Sequence, residues 1–209
     1  MPRPDRTPSS DRAAKVAKIQ KANTSAERRR GALIWGSAAL VVALVVGVVT
    51  FAILRDSPAT ADLSAVETFD NQAADHRTEP ISYDSPVPAG GPHHPAWWDC
   101  GVYTEPVVTE HAVHSLEHGA VWLSYRPDLP ADQVALLEEL GDDDYMIVSP
   151  SPDQEAPVLA TAWNNQLSLE SAEEKTLKAF IREYKQGPQT PEPGAACTGG
   201  TSTSLVAGR

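Results

Sequence analysis

Residues 120–149 read AVWLSYRPDLPADQVALLEELGDDDYMIVS, and this stretch contains the pattern that decides the fold. Residues 120–126 form a short apolar and aromatic run between a glycine and a proline, which is typical of a strand. Residues 130–141 carry apolar residues at helical spacing and end on Gly141, so they predict a helix. Residues 145–149 are again apolar and predict a second strand. The stretch therefore predicts a β-α-β unit.

Two further elements follow this unit. Residues 158–163, VLATAW, predict a third strand. Residues 171–186 predict a second helix, in which Ser171 is expected to be the N-cap and Glu174 to complete a capping box. The order β-α-β-β-α predicts a small α+β sandwich, with two helices on one face of a sheet that is at least partly antiparallel. We assign this α+β domain to residues 71–190.

The charge of the chain is unevenly distributed along the sequence. The net charge is −11, yet residues 1–30 contain nine Lys or Arg and three Asp or Glu. These first residues lack the apolar side chains of a core and predict a disordered basic tail. The rest of the chain is strongly acidic and should repel nucleic acid, so no nucleic-acid partner is expected.

Residues 31–54 form an uncharged, strongly apolar run of 24 residues. As a helix this run would be about 36 Å long, which is enough to cross a bilayer. Three arginines precede it, so the tail is expected in the cytoplasm and the α+β domain outside, after a stalk at residues 55–70. This predicts a single-pass protein of the cell membrane. The alternative is a cleaved signal peptide, because residues 59–61, Ala-Thr-Ala, resemble a signal-peptidase site.

The chain has two cysteines, Cys100 and Cys197, and both lie on the predicted external side. An even number of cysteines in an oxidising compartment predicts a disulfide bond. This bond would pin an irregular C-terminal tail at residues 191–209. The alternative is that the two thiolates bind a metal, although the chain has no Cys-x-x-Cys pair.

All six histidines lie within a short part of the chain, between residues 76 and 118: His76, His93, His94, His111, His114 and His118. Imidazole is a good ligand for Zn(II), Cu(II), Ni(II) and Fe(II). The methionines are Met1 and Met146, so a methionine-rich Cu(I) carrier is not indicated. The clustering of the histidines therefore favours a transition-metal site.

Residues 114–118 read His-Ser-Leu-Glu-His, which matches the His-x-x-Glu-His pattern of inverted zincin peptidases. In those peptidases the motif lies on a helix, whereas here it runs directly into the strand that begins at residue 120. At most two helical turns are expected before that strand, which disfavours a peptidase. His114 and His118 could instead be buried, hydrogen-bonded residues of a turn. His111 follows Glu110 and is expected on the surface.

Four segments together resemble a known family. They are PVPAGGPHHPAWWDCGVY at residues 86–103, AVHSLEHGAVWLSYRP at 112–127, VLATAWNNQL at 158–167 and IREYKQGP at 181–188. Over roughly residues 65–190 the chain is similar to the domain of unknown function 3105 family, membrane-anchored proteins found largely in actinobacteria. The resemblance implies no activity or substrate, but it singles out certain residues: His93, His114, Glu117 and His118, with His76 as the family's early histidine. His94 and His111 do not match its motifs.

Three functions remain compatible with the sequence. The favoured one is a metal-binding domain that holds a copper or zinc ion through His93, His114 and His118, with His76 or Glu117 as a fourth ligand. The second is a non-catalytic interaction module at the membrane, in which the histidines form hydrogen bonds. The third is a hydrolase that uses a His/Glu pair as acid and base.

Overall fold

The computed structural model describes residues 15–18, 21, 28, 30, 34–37, 40–50, 62–70 and 73–207. The chain divides into two compact units, Met1–Ser57 and Pro58–Arg209. Most of the predicted basic tail, and residues 31–33, 38, 39 and 51–54 of the predicted transmembrane segment, lie outside the described residues. The described residues 34–37 and 40–50 are helical. Within the described ranges, no helix combines the length and the apolar character that are needed to cross a bilayer.

The described residues of the second unit form a six-stranded sheet and three helices. The strands, in chain order, are β1 Glu67–Thr68, β2 Gly101–Val102, β3 Val121–Tyr125, β4 Met146–Pro150, β5 Val158–Ala162 and β6 Asn165–Leu169. The helices are α1 Thr109–Glu117, α2 Ala131–Gly141 and α3 Glu174–Tyr184. In space the strands follow the order β1-β6-β5-β3-β4-β2. The predicted α+β class is confirmed.

The sheet is mixed, as the sequence predicts. Strands β3 and β4 are parallel neighbours in the sheet, with Val121 opposite Met146. Helix α2 connects them along the chain. Strand β5 pairs antiparallel with both β3 and β6. Strand β6 was missing from the prediction, because its NQLSL sequence is polar and lies only two residues after β5. Asn164 makes that tight turn with a positive φ of 62°.

The core has one cluster of side chains on each face of the sheet. In β3, Val121, Leu123 and Tyr125 join one cluster and Trp122 joins the other, as the alternation of a strand requires. Helices α2 and α3 cover the first face, and the prediction of two helices on one face is correct for them. Helix α1 covers the opposite face and was not predicted. The domain therefore has three layers.

The predicted Ser171 cap is wrong. Helix α3 begins at Glu174, its N-cap is Glu173, and no side chain caps it. The preceding stretch is held by another contact, since the backbone N–H of Ala172 donates to Gln133 Oε1 of α2 at 2.7 Å. Ser171 is thus kept too far upstream of the helix to act as its cap.

The ends of the second unit are fixed to its body. Residues 67–68, at the end of the predicted stalk, pair with β6, and Leu63 and Val66 pack against the core. The predicted disulfide between Cys100 and Cys197 is confirmed. Residues 191–207 contain no helix or strand, and Thr201 makes an isolated bridge with Trp98. The C-terminal segment therefore lies against the loop that precedes α1.

Candidate metal centre

Four of the predicted site residues lie together. The ligand atoms of His76, His93, His114 and Glu117 all lie within 4.8 Å of one another. His93, His114 and Glu117 are buried, whereas the side chain of His76 is 46% exposed. We refer to these four residues as the inner set. They come from three separate segments, so the fold itself assembles the group.

Helix α1 supplies two members of the inner set. His114 and Glu117 are three residues apart and therefore lie on the same side of the helix, while Ala112, Val113 and Leu116 pack into the core. The helix has nine residues, whereas the sequence allows at most two helical turns before the strand. Gly119 ends it with a positive φ of 93°. The N–H groups of Gly119 and Ala120 donate to Leu116 and Ser115, which is the Schellman arrangement.

The loop before α1 positions the other two members. His76 and His93 form a parallel β-bridge. In this bridge the Arg77 N–H donates to the His93 carbonyl at 2.7 Å, and the His93 N–H donates to the Asp75 carbonyl at 2.9 Å. Gly91 has a φ of 113°, which other residues rarely adopt, and its carbonyl lies 2.8 Å from His93 Nδ1. This loop geometry brings both imidazoles over the helix.

Backbone carbonyl groups fix the orientation of three imidazole rings. The Nδ1 atoms of His93, His114 and His118 lie 2.8, 2.7 and 2.6 Å from the carbonyl oxygens of Gly91, His94 and Ala196. A carbonyl oxygen only accepts, so each Nδ1 must carry a hydrogen. Each Nε2 of the neutral ring then presents a lone pair. Histidines that bind metals are oriented in this way.

The lone pairs of the cluster face other acceptors. His93 Nε2 lies 3.0 Å from Glu117 Oε2, and His114 Nε2 lies 2.9 Å from His118 Nε2. Neither contact contains a hydrogen when the rings are neutral. Two buried acceptors at this distance repel each other unless a proton or a metal ion lies between them. A proton or a metal ion between the two atoms would remove the repulsion in each contact.

Burial disfavours the protonation of His114 and His93. Burial, which opposes the raising effect of the His94 carbonyl, acts together with the neighbouring imidazoles of His93, His118 and His76 to lower the pKa of His114 to about 3. Burial also lowers the pKa of His93, although Gly91 and Glu117 oppose the change. His114 is thus neutral at physiological pH, and its Nε2 lone pair is available to a cation. The inner set could therefore hold a metal ion.

Without metal, we expect the free energy of unfolding to fall as the pH is lowered from about 6.5 towards 3. In this range His114 of the unfolded chain takes up a proton, whereas buried His114 stays neutral down to its pKa of about 3. The unfolded state then binds more protons, so acid favours it. Above about pH 6.5, His114 is neutral in both states, and the free energy of unfolding no longer depends on its protonation. Denaturant titrations in chelator at several pH values would measure it, and His114→Asn should give a shallower decrease. Equal slopes in the two chains would contradict the expectation.

His118 lies beside the inner set without belonging to it. It is the C-cap of α1, and its buried ring packs 5.1 Å from the ring of Trp97. Its Nε2 lies 3.5 Å from Glu192 Oε2. Glu192 was not predicted as a site residue, because it is a lone acidic residue between two prolines in an irregular segment. No motif in the sequence identifies it.

His94 and His111 are structural residues of the same layer. The prediction that His111 lies on the surface is wrong, because α1 is covered by the preceding loop and His111 is fully buried. Its Nδ1 donates to the Ala96 carbonyl at 2.6 Å, and its Nε2 accepts the Leu205 N–H at 3.2 Å. His94 Nδ1 accepts the N–H of Ala96. Both Nδ1 atoms are thus used by the backbone of one loop.

Comparison with known proteins gives one match. A family described as "Protein of unknown function (DUF3105)" matches residues 75–199, which include the inner set, His118 and Glu192. No curated protein and no solved structure match the chain. Three imidazoles and one carboxylate form a donor set that suits transition metals such as zinc and copper.

Proposed function

Since the chain belongs to the DUF3105 family, whose description names no activity, we propose that it binds a transition-metal ion through a set of four residues. These residues are His76, His93, His114 and Glu117. The observation that carries this proposal is the set of facing acceptors. His93 Nε2 meets Glu117 Oε2 at 3.0 Å, while a backbone carbonyl already takes the hydrogen on His93 Nδ1. A metal ion between these two atoms removes their repulsion and binds to both.

The proposed ion is copper or zinc. Zn(II) takes four nitrogen or oxygen ligands, and three imidazoles with a carboxylate satisfy it. Cu(II) uses the same donors in a tetragonal arrangement. His76 is the exposed member of the set, so solvent can reach the ion from its side. A site of this kind can exchange its ion or admit a further small ligand.

We further propose that this metal-binding domain lies outside the cell on a single-pass membrane anchor. Support comes from the uncharged run at residues 31–54, from the arginines at residues 28–30 that precede it, and from the disulfide between Cys100 and Cys197. Basic residues flank the cytoplasmic end of an anchor, and disulfides persist in oxidising compartments. A protease-protection assay on intact cells, with an epitope at either end of the chain, tests this placement.

The test of metal binding uses the full-length chain without a histidine tag. After chelation, incubation with Zn(II) or Cu(II) and desalting, we expect at least one retained equivalent by elemental analysis. His114→Asn should lower the affinity at least about 100-fold, because loss of even an outer-shell partner costs 10–100-fold. The asparagine amide can still donate to the His94 carbonyl as Nδ1 does, so the fold should survive.

His111→Asn is the matched control for that variant. It changes another buried histidine of α1 that also donates from Nδ1 to a carbonyl, and it should leave the metal affinity unchanged. Loss of binding in both variants would indicate damage to the helix. An unchanged chain that retains no ion would overturn the proposal and would favour the interaction module.

A further inference from the structure

His118 is a buried histidine that the inner set does not use. Its Nδ1 donates to the Ala196 carbonyl at 2.6 Å, so the neutral ring has a lone pair on Nε2. The neighbours of that lone pair are His114 Nε2 at 2.9 Å and Glu192 Oε2 at 3.5 Å. Both neighbours are acceptors. Buried polar atoms normally have a partner, and here the partner that fits is a cation.

We propose that His118 and Glu192 hold a second divalent transition-metal ion beside the first, so that the centre binds two ions. This inference rests on the proposed function. The inner set already offers four ligands, and His118 is not among the residues whose ligand atoms lie within 4.8 Å of one another. Four ligands complete the coordination that Zn(II) takes in most structural sites. His118 is therefore better placed to bind a second ion than to be a fifth ligand of the first.

The backbone fixes the position of Glu192 next to α1. The Glu192 N–H donates to the Glu117 carbonyl at 3.1 Å, and the side-chain amide of Gln186 donates to the carbonyl of His118. A Cβ at Gly119 would lie 3.0 Å from Thr190, so the segment passes directly over the end of the helix. The carboxylate of Glu192 thus lies next to His118 and partly in solvent.

The two positions should differ in affinity. We call the proposed second position, between His118 and Glu192, the outer position. The inner set has three buried ligands, whereas the outer position has one buried imidazole and a carboxylate that is 54% exposed. Water must complete the coordination of an outer ion. Proteins with two metal ions place them about 3.5–4 Å apart, which is compatible with the contact between His114 and His118. The outer ion should bind second and more weakly.

Calorimetric titration of Zn(II) into the full-length, metal-free chain tests the proposal. We expect two equivalents, one tight and one weaker. Glu192→Gln should weaken the second equivalent at least about tenfold, by analogy with the loss of an outer-shell partner, and should leave the first unchanged. Glu183→Gln, which removes an equal charge from an exposed position on α3, should retain both.

Each other outcome overturns the inference. One equivalent in the unchanged chain would leave the proposed function intact and remove the second ion. If Glu192→Gln weakened binding of the first, tightly bound Zn(II), Glu192 would be a ligand of the same ion as the inner set. Two equivalents that Glu192→Gln does not affect would exclude this carboxylate as a ligand. No binding at all would overturn the proposed function as well.

Discussion

The Glu117→Gln chain is expected to bind metal at least about 100-fold more weakly and yet, without metal, to be as stable as the unchanged chain or more stable. The carboxylate is the anionic ligand of the inner set, so its loss weakens any cation site. In the metal-free chain, Glu117 Oε2 faces the His93 lone pair at 3.0 Å. A glutamine amide can donate to that lone pair, which we expect to add up to about 2 kcal/mol.

Two titrations measure these opposite effects. Calorimetry with Zn(II) gives the affinity, and urea denaturation in chelator gives the free energy of unfolding. Glu110→Gln is the control, since Glu110 is fully buried in the same helix but lies outside the inner set. Its metal affinity should not change. A loss of more than about 2 kcal/mol in metal-free Glu117→Gln would show that the carboxylate is structural.

Replacing both Cys100 and Cys197 by alanine is expected to lower the free energy of unfolding by about 4 kcal/mol. The disulfide joins residues separated by 97 positions. Closing a loop of about 100 residues in the unfolded chain is worth about 4.7 kcal/mol on the chain-entropy estimate. The folded chain retains other contacts at this place, because the Cys100 N–H donates to the Cys197 carbonyl at 2.7 Å.

Urea denaturation of the full-length, metal-free double variant measures this loss. The single variant Cys100→Ala, which also lacks the bond, should lose a similar amount. A decrease below about 1 kcal/mol, far under the usual value for a long loop, would mean that the C-terminal segment is held by its hydrogen bonds. In that case His118 would keep its Ala196 partner without the disulfide.

The elements that hydrophobic patterns reveal could be predicted, and the polar ones could not. Strands β3, β4 and β5 and helices α2 and α3 carry apolar residues at the period of their structure. Helix α1 was missed because much of its buried surface consists of Glu110, His111, His114, Ser115 and Glu117. Those residues are polar, and they are buried because they form hydrogen bonds or belong to the candidate site. Their burial therefore leaves no apolar pattern in the sequence. The fully buried β3 did contain a signal that both faces of the sheet are covered.

The candidate site was predictable as a cluster of histidines but not as a geometry. The crowding of histidines between residues 76 and 118 indicated a metal site, and the family resemblance separated His114 from His111. The meeting of His76 with His93 depends on a backbone bridge, which leaves no trace in side-chain patterns. Glu192 reaches the site through the backbone of an irregular segment. Such contacts arise from the tertiary structure alone.

The position of Ala196 makes the geometry of the centre depend on the last part of the chain. Helix α1 rests on strands that are synthesised after it, and the carbonyl that orients His118 lies one residue before Cys197. The centre is therefore complete only when nearly the whole chain has emerged and its C-terminal segment has returned to the helix. On the proposed function, we therefore expect the complete centre to bind its ions only after the C-terminal segment has returned to the helix.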